Sequence, residues 1–391
     1  MSANTDESSR KRQRTDTDAG LESEHPAHGA VLVRDEHVWY PEGNIIITAC
    51  SGTCKGDGRC EGPTFGYKCI RSTLVQHSRA FEGMFVYDNA GGPTVDEVPV
   101  VHLPDRAEDV QGFMWMMHGF LELPARRRDP NTTKIIGGAL RLAVKYEAVR
   151  MEKQLRAILE RDWPKSYLEW AEAERQNGLL WEKVEEEGKV LGNLKICDVN
   201  LYAPDPASVV SLAKEARVST VLRAAWYELA RSYAQGSTPY RDDGTHLGWW
   251  VERRAADVRL LDQADLVRLL VGREKLRDMA SFIVRKQILS RFPFKEYEGN
   301  PKSLTRCDPL RCYQEVSKRL NELEDSTDVG HDPMGAFITL QTQIRQAEGV
   351  CSSCKDHSCW DLRDAAMSVW DALEDIFDLK EELAFDSGSE N

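Results

Sequence analysis

The apolar positions of this 391-residue chain follow two regimes. Between residues 44 and 146 short apolar runs alternate with turn residues, whereas beyond residue 164 apolar residues recur at helical spacing in long charged stretches. Ile45-Ile46-Ile47 carries no polar alternation, which predicts a strand buried on both faces or beneath helices. A glycine-rich loop over 51–63 and a return strand over 64–70 follow. A helix is predicted over 72–85, with Ser72 as N-cap and Leu74, Phe81 and Phe85 on one face. His77 lies beside that face and reads as a structural histidine bonded to the backbone rather than a catalytic or metal-binding one.

Gly91-Gly92-Pro93 predicts a turn, and Val98, Val100 and Val101 another short strand. Asp105 followed by Glu108 resembles a capping box for a helix carrying Val110, Phe113, Met114, Met117, Phe120 and Leu121. A methionine-rich helix can be an adaptable binding face, but large apolar residues on every side, Trp115 and Met116 included, favour a core helix. Asp129-Pro130-Asn131 breaks the chain before helices over 133–147 and 149–161, which close at Trp163-Pro164. Amphipathic helices are predicted beyond it over 168–190, 207–234, 255–287, 313–323 and 335–347, the second with Pro206 in its first turn. No internal repeat is evident. The expected fold class is α+β, a small sheet capped by helices over 29–163 followed by a mainly α-helical region over 164–385.

Charge and composition narrow the function. Residues 1–28 are polar and charged and predict a disordered tail, as do residues 386–391. Arg10, Lys11, Arg12 and Arg14 form a run of the type nuclear import receptors read; its plainer reading is a solvated basic patch. No apolar run reaches the roughly 20 residues that span a bilayer, and the N-terminus lacks the apolar core of a signal peptide. An intracellular protein of nucleus or cytoplasm, without a membrane partner, is expected. The formal charge of −13 argues against nucleic-acid binding through the body of the protein.

Ten cysteines in such a chain are better read as thiols or metal ligands than as a disulfide framework. Cys307 and Cys312, and Cys351 and Cys354, have spacings that let each pair of thiolates reach one tetrahedral zinc. The helices over 313–323 and 335–347, joined by a turn over 325–333, would form an antiparallel pair that returns the chain to its start. Both cysteine pairs would then meet at one end, around a structural zinc with four sulfur ligands and no open position for water. His357 or Cys359 could replace one ligand; the alternative is four partly buried thiols without metal. The earlier group of Cys50, Cys54, Cys60 and Cys69 is less regular, and Cys69 reads as a core residue of the return strand.

The motif residues of the first region carry a resemblance. Ser72, Leu74, His77, Ser78, Phe81, Met84 and Phe85, then Val98 to Leu103 with Asp105, then Leu142, Ala143, Lys145, Tyr146 and Glu147, occur in the order found in the BTB/POZ domain, in the version abundant in fungal proteins of unknown function. The likeness spans roughly residues 29–163. It departs from the family at Ile70, where a histidine is usual, and in the Cys/Gly-rich insertion over 50–62. The resemblance implies a non-enzymatic protein-interaction adaptor that self-associates as a homodimer and recruits a partner such as a cullin-type ubiquitin ligase or a transcriptional co-regulator. Competing expectations are a zinc-stapled nucleic-acid-associated regulator and a fold that only self-associates. No phosphate-binding loop, nucleophile elbow or paired-histidine zinc helix appears.

Overall fold

The computed structural model describes residues 23–24, 31–52, 62–86, 92–178, 203–234, 255–284, 308–325 and 328–384. The protein is α+β, and its chain divides into two compact units, residues 1–121 with 146–148 and residues 122–145 with 149–391. The helices Thr132–Lys145 and Val149–Arg161, which the sequence pattern grouped with the N-terminal region, thus belong to the second unit. No helix among the described residues is long and apolar enough to cross a membrane.

In the first unit β1 (Ser23–Glu24), β2 (Val31–Trp39), β3 (Ile45–Cys50) and β4 (Thr64–Cys69) precede the helices α1 (Arg71–His77) and α2 (Arg79–Val86). Strands β5 (Thr94–Val95) and β6 (Val98–His102) and helix α3 (Ala107–His118) complete it. The mixed sheet runs β1-β2-β4-β3-β6-β5. β3 pairs antiparallel with β4, from Ile45 opposite Cys69 to Cys50 opposite Thr64, and parallel with β6, Ile46 lying opposite Val100. Neighbours on both sides explain why all six residues of β3 are buried, as its unbroken apolar run requires. β2 was not expected as a strand, and it adds to β4 in parallel with an irregular register between Arg34 and Trp39.

Two helix starts differ from expectation. Ser72 is not a cap: the first backbone N–H of α1, that of Arg71, donates to Asn44 Oδ1 at 2.8 Å, so an asparagine distant in sequence does the work. The expected single helix breaks at Ser78, whose extended backbone lets its hydroxyl accept from Phe81 N at 3.2 Å and so begin α2. Ser78 also donates to the Tyr146 carbonyl, so Ser78 rather than His77 ties this helix pair to the backbone. At α3 the N-cap is Arg106 without a side-chain bond, and Asp105 instead accepts from the Tyr146 hydroxyl at 2.5 Å. Val110, Phe113, Met114 and Met117 are buried, so α3 is a core helix.

The second unit contains α4 (Thr132–Lys145), α5 (Val149–Arg161) and α6 over residues 167–178. α7 (Pro206–Glu215) and α8 (Leu222–Ala230) follow, with a 3-10 turn, Ser219–Val221, between them. Asp205 caps α7 and Pro206 opens it. The expected continuous helix stops because Arg217 is left-handed, φ 55°, and Arg156 donates to the carbonyls of Ala216 and Arg217 at 2.7 and 3.0 Å. The two-residue strands β7 (Tyr233–Ala234) and β8 (Ala255–Ala256) pair in parallel. α9 (Gln263–Phe282) begins only after Asp262, whose side chain accepts from Asp265 N, and not at Ala255 as predicted.

The remaining helices are α10 (Pro309–Asp325), α11 (Asp328–His331), α12 (Pro333–Gln346), α13 (Ser352–Ile376) and α14 (Lys380–Leu383). α13, at 25 residues, is absent from the sequence-based expectations.

Candidate functional site

The cysteine site is built on a helical hairpin whose apolar stripes hold its geometry. Cys312, Val316 and Leu320 of α10 are buried one turn apart, and Phe337, Leu340 and Ile344 of α12 are buried at three- and four-residue spacing. α11 and Pro333 reverse the chain, and Asp332 caps α12 by accepting from Gly335 N at 3.1 Å. After α12 ends at Gln346, a turn carries the chain to Cys351, the N-cap of α13. Gly349 lets that turn approach α10, since a Cβ there would lie 2.9 Å from Glu315 Cγ.

Three of the four predicted ligands converge. The Sγ atoms of Cys312, Cys351 and Cys354 all lie within 4.8 Å of one another. Two backbone N–H groups point at these sulfurs: Cys351 N donates to Cys312 Sγ at 3.3 Å and Cys354 N to Cys351 Sγ at 3.4 Å. With the N-terminus of α13, they place partial positive charge against sulfur, which suits thiolate ligands. Three thiolates on a tetrahedral zinc, each about 2.3 Å from the metal, stand roughly 3.8 Å apart. The cluster therefore needs to contract by about 1 Å at most to hold one.

Cys307 lies outside the described residues. The two expected substitutes do not join the cluster. Cys359 is buried with its thiol toward Gln341 O at 3.7 Å, and His357 packs on Trp360 with Nδ1 3.2 Å from Ser353 O. Among the described residues, the N-terminal cysteines form no second cluster. Cys50 and Cys69 sit at opposite ends of the β3–β4 ladder, and Cys54 and Cys60 lie outside the described residues. Burial pushes the Cys69 thiol up to about 12, as expected of an inert core residue.

A second polar constellation supports the same hairpin from its other end. Arg231, 4% exposed as a side chain, pairs with Glu174 at 2.6 Å, Glu228 at 2.8 Å and Asp332 at 2.8 Å. Tyr227 donates to Asp332 at 2.5 Å and accepts from Met334 N at 3.0 Å. Burial opposes the Arg231 charge, and the surrounding carboxylates outweigh it and hold the guanidinium well above its ordinary value. α12 is thus fixed at its start by a buried ion network and reaches the cysteine turn at its end.

In the first unit the motif residues collect around Tyr146. Its ring stacks on Phe81 at 5.2 Å and tilts against Phe113 at 5.8 Å, while its hydroxyl and carbonyl bond Asp105 and Ser78. Burial, then the Asp105 hydrogen bond, raises the Tyr146 hydroxyl above its ordinary value. No protein-family model, no curated protein and no solved structure matches this chain.

Proposed function

We propose that the protein is a non-enzymatic adaptor whose N-terminal unit is a BTB/POZ-like interaction module and whose C-terminal unit is stapled by a structural zinc ion. The observation that carries the adaptor reading is the convergence on Tyr146 of motif positions from three separate segments, Ser78 and Phe81, Asp105, and Tyr146 itself. Ser78 joins α1 to α2, Phe81 lies in α2, Asp105 lies between β6 and α3, and Tyr146 follows α4, in the order the resemblance implies. Self-association and recruitment of a cullin-type ligase or a transcriptional co-regulator follow from that resemblance. Sedimentation equilibrium of the full chain, alone and with a cullin N-terminal domain, tests it. A dimer or a saturable complex supports the adaptor; a monomer with no complex overturns it.

The zinc reading rests on the three converging thiols, with Cys307 proposed from sequence spacing as the fourth ligand. The metal would contribute folding free energy rather than catalysis. The nucleic-acid version of this reading is disfavoured by nearby charge. Lys318 and Arg319 are paired with Glu322 and Glu315 of their own helix at 3.9 and 2.8 Å, which offsets their charge toward phosphates.

A further inference from the structure

We propose that the cysteine cluster is also an oxidation-sensitive release point, at which hydrogen peroxide joins Cys351 and Cys354 in a disulfide and the zinc ion leaves. The inference rests on the zinc reading above and adds a regulation to the same site. The three thiols are not equivalent. Cys312 is 2% exposed and Cys354 9%, whereas Cys351 is half-buried and stands at the mouth of the cluster as the N-cap of α13. An oxidant arriving from solvent meets Cys351 first. Its resolving partner is one helical turn away in the same chain segment, with the sulfurs no more than 4.8 Å apart.

The chemistry balances without another reactant. The Cys351 thiolate attacks one peroxide oxygen, the O–O bond breaks, and hydroxide leaves to become water on protonation, so that Cys351 becomes a sulfenic acid. The Cys354 thiolate attacks the sulfenic sulfur, the S–O bond breaks, and a second hydroxide leaves as water. Two electrons pass from the sulfurs to peroxide; two thiolates, one peroxide and two protons give one disulfide and two waters. Two of the three described ligands are consumed. Cys312 and the proposed fourth ligand Cys307 supply only two of the four sulfurs, both on the α10 side of the sequence, so the link between α10 and the start of α13 opens.

The test uses the zinc-loaded full chain, freed of reductant and treated with equimolar hydrogen peroxide. Released zinc is followed with a chromophoric chelator, and disulfides are mapped by peptide mass. One zinc released per disulfide, a Cys351–Cys354 linkage, and zinc uptake restored by a thiol reductant are expected. Cys359→Ser should behave as the wild type, because that thiol faces Gln341 O and lies outside the cluster. Zinc retained after the peroxide is consumed, or released without that linkage, overturns the proposal and leaves the staple standing. A chain that carries no zinc and takes none up overturns the staple as well.

Discussion

At the scale of single residues, the polar groups that matter most are buried and shared between distant segments. Arg231 neutralises carboxylates from α6, α8 and the turn before α12, a set scattered over residues 174 to 332. Arg231→Met leaves three carboxylates without their cation and is expected to destabilise the second unit by about 3–5 kcal/mol, measured by chemical denaturation. Asp205 makes a finer test. Burial raises its carboxyl above the ordinary range, with Asp257 adding to the effect and backbone N–H groups of Ala207 and Asp257 opposing it. A carboxyl whose folded pKa lies above its unfolded one favours the fold below the unfolded value, and that contribution is lost as pH rises through the folded value. Asp205→Asn keeps the capping oxygen without the charge. It should match or exceed the wild type in thermal stability at neutral pH and lose that advantage below the carboxylate range. None of these pairings was legible in the sequence, because partners this far apart meet only in the fold. Tyr146, Asp105 and Ser78 were singled out through family likeness, and the structure supplies the bonds that join them.

At the scale of elements, local chemistry was legible wherever the pattern was continuous. The β3–β4 hairpin, the strand over Val98–His102 and the helix Val149–Arg161 follow from apolar runs and periodicity. Helices failed where one residue interrupts them, as at Ser78 and Arg217, since a single cap or left-handed residue barely changes a periodic signal. α13 was not expected although Leu362, Ala365, Ala366, Val369, Trp370 and Leu373 repeat at helical spacing, because its first turns carry cysteines and polar residues that read as ligand spacing rather than as an apolar face. Its close fit to α9 gives a prediction. A Cβ on Gly272 would lie 2.2 Å from the Phe377 ring, which itself stacks on Trp226 at 5.4 Å. Gly272→Ala should therefore destabilise the second unit by about 1–3 kcal/mol, against the gain of up to about 1 kcal/mol that alanine brings to an open helix. Replacing Cys351 and Cys354 together by Ser should lower the melting temperature of the second unit and leave the first unit's transition in place, as read by calorimetry. An unchanged profile would sink the staple.

At the scale of the molecule, the chain is two compact units, and the boundary was only partly legible. The change of pattern at Pro164 marks where long helices begin, yet α4 and α5 already pack with them, because their buried faces carry side chains that fit α7 and its neighbours: Thr133 bonds Ser208 at 2.9 Å, and Gly137 lies against Leu212. The Tyr146 cluster and the cysteine cluster lie in different units, so the proposed interaction module and the proposed staple are separable by mutation. The cysteine site was legible in outline, since spacing placed Cys312, Cys351 and Cys354 together; its N–H donors were not, because they depend on Cys351 capping a helix. The most direct test is the native mass spectrum of the full chain after purification without chelators. The mass of the chain plus one zinc ion in each protomer is expected, with that zinc lost in the Cys351→Ser/Cys354→Ser variant. A wild-type chain at its metal-free mass, even after incubation with zinc, would contradict the zinc staple.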